Sequence, residues 1–139
     1  MGIRYLISKK GGEMSNKLNA IRKEFNANEG TFLLILIENN IWNHTKLMKL
    51  LEIMHETCKQ LESETKIDKD IADGFWYFRD VASLTTPIVC EELGKEYLSS
   101  VQETFMFLTD WLFSGDCPFD SHQTFWEDIC QLNLLYKDV

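Results

Sequence analysis

The feature of this sequence that most restricts its fold is a stripe of apolar residues at helical spacing between positions 47 and 61. The stripe consists of Leu47, Leu50, Leu51, Met54, Cys58 and Leu61, with charged residues between its members. Apolar residues at intervals of three and four lie on one side of an α-helix and face a core. Asn43 is a favourable N-cap just before them. The pattern predicts an amphipathic helix over residues 43–63, leading into a polar loop from Glu62 to Asp70.

Three further segments predict helices. Residues 15–26 show helical spacing in a short stretch. A long helix is expected to begin at Thr86-Pro87, to continue through Leu93 and Leu112, and to end at Gly115. Proline is favoured at the first helical position, and glycine just after the last. Asp120 or Ser121 is expected to cap a final helix. With the run from Phe32 to Ile37 also taken as a helix, these segments predict an all-α, single-domain bundle of five or six helices.

The run from Phe32 to Ile37 is the segment whose type stays open. Six consecutive apolar residues fit either a buried strand or a buried helix, and periodicity cannot distinguish the two. Helix is favoured because no other segment offers a convincing strand partner. Pairing of this run with Ile3–Ile7 would instead make the fold α+β.

The N-terminal residues suggest that translation begins at Met14. The segment from Lys9 to Met14 reads back through the genetic code as a purine-rich stretch that accommodates a bacterial ribosome-binding sequence before a start codon. Residues 1–13 are therefore expected to be a non-native or disordered extension of a bacterial protein, and residues 14–139 its single helical domain. The alternative is a flexible basic arm with a Gly-Gly joint.

Length and composition are those of one ordinary domain. A chain of 139 residues with 45% hydrophobic residues can build a single core. Its longest apolar run is far shorter than the roughly 20 residues of a membrane span, and no secretory signal is visible, so a cytoplasmic protein is expected. The cysteines lack the spacing of zinc or redox motifs and are expected to be small buried hydrophobes. They are Cys58, Cys90, Cys117 and Cys130.

The net charge of −8 is concentrated in the C-terminal part of the chain. Residues 91–139 contain ten acidic residues against Lys95 and Lys137, whereas residues 1–25 are basic. Such an acidic region repels phosphate backbones, which argues against nucleic-acid binding, and it suits a basic protein partner. The alternative is an acidic surface that serves only solubility.

A search for catalytic chemistry gives no candidate. The chain has no nucleophile elbow, phosphate-binding loop or zinc-protease motif. His44 and His55 would lie about 16 Å apart on one helix, too far to share a metal ion. His122, next to Asp120, is expected to take part in helix capping. We therefore predict no catalytic residue, no cofactor, no metal site and no enzymatic activity.

Two features are instead candidates for binding a partner. Glu96 is expected to share a helix face with Glu92 and Glu103, although a solvated face would show the same pattern. In Phe75-Trp76-Tyr77-Phe78, the first and last rings are expected in the core. Trp76 or Arg79 would then be an exposed anchor unless the whole block is buried. The predicted partner-binding residues are Glu91, Glu92, Glu96, Glu103, Asp110, Asp116, Asp120, Trp76 and Arg79.

The chain resembles, in kind, the immunity proteins of bacterial toxin–immunity systems. The resemblance rests on its excess of acidic residues, its small helical fold and the aromatic block before Thr86-Pro87. The resemblance implies an enzymatically inert inhibitor that neutralises a basic toxin domain by capping it through electrostatic and aromatic contacts. The alternative is a small regulatory or adaptor protein that acts through helix-mediated protein contacts. The sequence leaves the oligomeric state open.

Overall fold

The structure, a computed structural model, describes residues 12–80 and 93–136. All regular elements in these residues are α-helices, and no β-strand occurs among them. Six helices have two turns or more, and a seventh has a single turn. They are α1 (Gly12–Phe25), α2 (Phe32–Asn39), α3 (His44–Leu61), α4 (Lys69–Arg79), α5 (Lys95–Ser114), α6 (His122–Cys130) and α7 (Leu132–Leu135). The predicted all-α bundle is confirmed.

Helix α3 occupies the centre of the bundle, as its apolar stripe predicts. The side chain of Asn43 caps the helix by accepting a hydrogen bond from the backbone N–H of Lys46 at 3.0 Å. All six residues of the stripe are buried. Helices α1, α5 and α6 pack against α3, so that one continuous core surrounds it.

The run from Phe32 to Ile37 is part of helix α2. Thr31 caps this helix by accepting from the backbone N–H of Leu34 at 3.3 Å. The helix ends where Asn40 takes a left-handed conformation with φ 54°. Phe32, whose side chain is fully buried, belongs to the core. The helical interpretation is therefore confirmed, and the hypothetical strand Ile3–Ile7 lies outside the described residues.

The long helix predicted from Thr86-Pro87 is shorter than expected. Gly94 has φ 83°, which no helical residue adopts, and α5 begins only at Lys95. The prediction of one continuous helix through Leu93 is therefore wrong, and residues 81–92 lie outside the described part of the chain. The predicted end is confirmed, since Gly115 closes α5 in a left-handed conformation with φ 78°.

Smaller differences from the predicted helices occur at both ends of the described chain. Ser121 caps α6 as predicted, by accepting from the backbone N–H of Thr124 at 3.0 Å, and the expected final helix is divided into α6 and α7. Helix α1 begins at Gly12, slightly before the expected domain start, and residues 1–11 are not described. Among the described cysteines, Cys58 alone is buried, whereas Cys117 and Cys130 are partly exposed. Cys90 lies outside the described residues.

Helices α4 and α5 pack against each other through aromatic rings. Phe75 and Phe78 are fully buried, and the ring of Phe78 stacks on Phe105 with centroids 5.5 Å apart. The hydroxyl of Thr109 on α5 donates to the carbonyl of Phe105 in its own helix at 2.8 Å, and the carbonyl of Phe75 on α4 lies 3.4 Å from the same hydroxyl. Thr109 is therefore in contact with the backbone of α4. None of the helices within residues 12–80 and 93–136 has the length and apolarity that crossing a membrane requires.

His55 lies on α3 in an aromatic cage. Its ring is within 6 Å of the rings of Trp111, Phe125 and Trp126, and its Nε2–H donates to the backbone carbonyl of His122 at 3.0 Å. Burial lowers the pKa of His55 below its ordinary value of 6.5, because the imidazolium would lose its hydration, although the hydrogen bond acts in the opposite direction. The folded protein therefore favours neutral His55.

This pKa shift predicts a loss of stability on acidification. Below pH 6.5 the unfolded chain binds a proton at His55 more readily than the folded chain does, so the free energy of unfolding should fall as the pH falls through this range. The slope that one proton can contribute is at most about 1.4 kcal/mol per pH unit. Urea unfolding of wild type and His55→Gln between pH 7.5 and pH 5, values chosen to span the ordinary pKa of about 6.5, should show a shallower slope in the variant. Equal slopes would contradict this prediction.

Candidate functional site

Three acidic residues form a line along the solvent-facing side of α5. Glu96, Glu103 and Asp110 are all exposed and follow one another at intervals of seven residues. Seven residues make nearly two helical turns, so the three side chains project from the same side of the helix at steps of about 10.5 Å. The structure thus brings together three of the predicted partner-binding residues.

The charges on this line are not compensated within the described chain. Among the residues that the structure describes, none forms an ion pair or a side-chain hydrogen bond with Glu96, Glu103 or Asp110. Lys95, in the first turn, is the only basic residue of α5. A helix face that served only helix stability would mix charges of opposite sign at intervals of three or four. Within the described residues, the line is therefore a region of negative surface charge that no nearby cation neutralises.

Large apolar side chains adjoin the acidic line. Met106 and Phe113 lie on the same side of α5 and are 38% and 48% exposed. The ring of Phe113 contacts Trp76 of α4, with centroids 5.8 Å apart, and Trp76 is itself 47% exposed. Exposed aromatic and methionine side chains on neighbouring helices are typical of binding surfaces.

Arg79 completes this aromatic group. Its guanidinium carbon lies 4.9 Å from the centre of the Trp76 ring, within the range of a cation–π interaction. Its Nε atom is shielded from solvent and has no hydrogen-bond partner among the described residues. Trp76 is thus accessible to a partner, as one of the two sequence interpretations predicted, and Arg79 lies half-buried beside it.

The aromatic block divides between core and surface according to its position on α4. Phe75 and Phe78, three residues apart, point into the core as predicted. Trp76 and Tyr77 lie on the outer side, where Tyr77 is 43% exposed. The interpretation in which the whole block is buried is therefore wrong. We call the exposed residues of the acidic line and of the aromatic group, with the half-buried Arg79, the α4–α5 surface. It consists of Trp76, Arg79, Glu96, Glu103, Met106, Asp110 and Phe113.

Asp116 and Asp120, two further predicted acidic residues, are not part of this surface. Both are exposed, but they lie in the turn after α5 and line a shallow cleft with Glu62 and His122. Glu91 and Glu92 lie outside the described residues. The predicted alignment of Glu92 with Glu96 assumed a continuous helix, which is interrupted at Gly94.

The cleft beside Asp116 holds a polar network that ties α3 to α5 and α6. The carboxylate of Glu62 accepts from Trp111 Nε1 at 2.7 Å and from His122 Nε2 at 2.9 Å. His122 therefore binds Glu62, and Ser121 caps the helix in its place, contrary to the predicted capping role of His122. The nearby thiol of Cys117 points to the carbonyl of Ser121 at 3.8 Å. These contacts hold the C-terminal end of α3 against α5 and α6.

Comparisons with known proteins add no relative to these observations. A scan against protein-family models found no match, and searches of curated proteins and of solved structures found no similar protein. Within residues 12–80 and 93–136, no three His, Cys, Asp or Glu side chains are grouped as metal ligands. The function must therefore be inferred from the surface chemistry of the chain itself.

Met106 and Phe113 are the residues of the α4–α5 surface that sequence reasoning missed. Each is adjacent in sequence to a core residue, Phe105 and Leu112 respectively, and an apolar residue in an apolar stretch is not conspicuous. The sequence feature that could have identified them is their spacing, because each follows an acidic residue of the exposed line by three positions. That signal becomes visible only once the inner side of α5 is known.

Proposed function

We propose that this protein is a non-enzymatic binding protein of the immunity type, which neutralises a basic bacterial toxin by capping it with the α4–α5 surface. The observation that carries this proposal is the line of three uncompensated carboxylates on α5 beside the exposed Trp76–Phe113 pair. Carboxylates of this kind attract a basic partner over a distance, and a desolvated aromatic pair then holds it. The two parts of the surface have separate roles.

Capture of the partner tests this proposal. The tagged protein, incubated with a lysate of its native organism at low salt, should retain a basic protein that is released as the salt concentration rises. Expression of the captured protein alone should inhibit bacterial growth, and co-expression with this chain should restore growth. A captured partner that is harmless to the host or that carries an acidic surface would contradict the immunity function.

A regulatory or adaptor role is the second candidate. Met106, Phe113 and Trp76 favour it, because exposed apolar side chains on two packed helices are also suited to helix-mediated contacts. An adaptor would bind its partner without affecting growth. The same co-expression experiment therefore separates the two functions.

Charge reversal on α5 should slow association with the captured partner. Glu96→Lys combined with Glu103→Lys removes two negative charges and adds two positive ones at the centre of the field. We expect the association rate to fall about tenfold at about 0.1 M salt, and this difference to disappear near 1 M salt, where the screening length is about 3 Å. Stopped-flow measurements over this salt range would give both values.

The matched control is Glu38→Lys combined with Glu64→Lys. These two exposed glutamates lie on α2 and in the loop after α3, and their replacement changes the net charge by the same amount. The control should reduce the association rate much less, because steering depends on where charges lie near the contact. Equal slowing by both variants would show that only the total charge matters. That result would remove the α5 line from the mechanism.

A further inference from the structure

The exposed side of α5 carries a second regularity besides its charge. Six of its outward-facing positions follow one another at intervals of three, four, three, four and three residues. All six are exposed, and we call them the α5 seam: Glu96, Ser99, Glu103, Met106, Asp110 and Phe113. This is the spacing at which a helix packs lengthwise against another helix, with side chains of one inserted between those of the other. On α5 the seam faces solvent.

The side chains of the seam indicate what kind of partner helix would fit it. Every second position is acidic, namely Glu96, Glu103 and Asp110, and the positions between them become more apolar towards Phe113. Another copy of the same seam would place carboxylates opposite carboxylates in a parallel pair, and opposite Ser99, Met106 and Phe113 in an antiparallel pair. Both arrangements leave the carboxylates without a cation, which is unfavourable. A helix with lysine or arginine opposite the acids and apolar residues opposite Met106 and Phe113 fits the seam instead.

We infer that the α5 seam receives a basic amphipathic helix of the partner, packed lengthwise along α5. From Glu96 to Phe113 the seam is about 26 Å long, so the partner helix has about 18 residues. The ring of Trp76, in contact with Phe113, borders the apolar end of the seam. Arg79 stacks on this ring from α4. The inference rests on the proposed function and specifies the structural element by which the partner is recognised.

The chain's own undescribed segments are the competing occupants. Residues 81–92 contain no lysine or arginine and therefore lack the required charge. Residues 1–11 contain Arg4, Lys9 and Lys10 among apolar residues, so their charge matches the seam. They span too few residues to make a helix of about 18. The experiment must nevertheless distinguish them from an external helix.

Two synthetic peptides of identical composition test the inference. Each has about 21 residues, or three heptads, with lysines and leucines among alanine and glutamine. In the first, lysine recurs every seven residues and leucine follows three positions later. In the second, the same residues are placed so that lysines and leucines lie on different sides of the helix. Each peptide is added to the ¹⁵N-labelled full chain at about 0.1 M salt, where the screening length is about 10 Å, and amide shifts are recorded.

The first peptide should bind at least about tenfold more tightly than the second, a difference of about 1.4 kcal/mol. Its shifts should be concentrated at residues 95–114 and at the indole of Trp76. Equal affinities would show that binding depends only on the net charge of the peptide. That result would overturn the inference of a helical partner. The proposed function would survive that result, because it is tested separately by the identity and toxicity of the captured partner.

A charge exchange locates the contact. Glu103→Lys combined with Asp110→Lys should abolish binding of the lysine peptide and create binding of a peptide in which glutamate replaces each lysine. Unchanged binding of the lysine peptide would show that it binds elsewhere, against the inference. Two further results would also overturn it. One is a concentration-dependent shift of the seam amides, which would assign the seam to a second copy. The other is a shift of these amides on Arg4→Glu, Lys9→Glu and Lys10→Glu substitution, which would assign it to the chain's own N-terminus.

Discussion

Replacing Gly74 by alanine should destabilise this protein, although alanine is the better helix former. Gly74 lies inside α4, where Ala normally gains about 0.5–1 kcal/mol over Gly. A Cβ at this position would lie 2.0 Å from Cδ2 and 2.3 Å from Cε2 of Phe25 on α1. Carbon atoms that are not bonded to each other do not approach so closely. The ring of Phe25 would have to move, and we expect a net loss of about 1–3 kcal/mol, as for other overpacked cores.

The Phe25 ring cannot move without losing contacts. Its centroid lies 5.6 Å from each of the Phe75 and Phe78 rings, so it joins α1 to the two buried aromatics of α4. Rotation of the ring away from Gly74 would open this contact. Displacement of α4 instead would move Trp76 relative to Phe113. The substitution should therefore affect the α4–α5 surface as well as the stability.

Urea denaturation monitored by circular dichroism measures the effect. Gly74→Ala should lower the midpoint without changing the slope, and Phe25→Leu in the same chain should recover part of the loss by removing the opposing ring atoms. Asp73→Ala is the matched control, because Asp73 is exposed on the same helix and should leave the stability nearly unchanged. A Gly74→Ala protein as stable as wild type would refute the steric explanation.

Local signals were sufficient to predict most of the helices. Asn43 caps α3, Ser121 caps α6 and Gly115 ends α5, and each position has a side chain or a conformational freedom that the helix terminus requires. The apolar stripe of α3 follows from the same local geometry. These features depend on residues close in sequence, so the sequence alone reveals them.

Features that depend on tertiary packing could not be predicted from the sequence. Gly94 stands in a pattern that otherwise continues a helix, and a glycine there permits a positive φ without requiring it. The exposure of Trp76 was left undecided because it depends on how α4 rests on α5. Met106 and Phe113 escaped notice for the same reason. Periodicity identifies the sides of a helix, but only the packed neighbour decides which side is covered.

Truncation of Trp76 should shorten the lifetime of the complex with the captured partner more than any other single change at the α4–α5 surface. Trp76 contacts Phe113 and supports the Arg79 guanidinium, so Trp76→Ala removes one anchor and releases another. Aromatic hot spots typically contribute about 2 kcal/mol or more, which corresponds to a dissociation rate raised about 30-fold. The association rate should change little, because the acidic line that steers the partner remains intact.

Tyr77→Ala is the matched control for this experiment. Tyr77 is exposed to nearly the same extent, at 43% against 47%, but it points about 100° away from Trp76 around α4 and contacts the ring of Phe78. Surface plasmon resonance should show rapid dissociation for Trp76→Ala and nearly wild-type dissociation for Tyr77→Ala. Both proteins should lose a similar and modest amount of stability, since both side chains are slightly less than half exposed. A Trp76→Ala complex that dissociates as slowly as wild type would remove the aromatic pair from the interface. The attraction would then reside in the carboxylates of α5 alone, and binding would vanish at high salt.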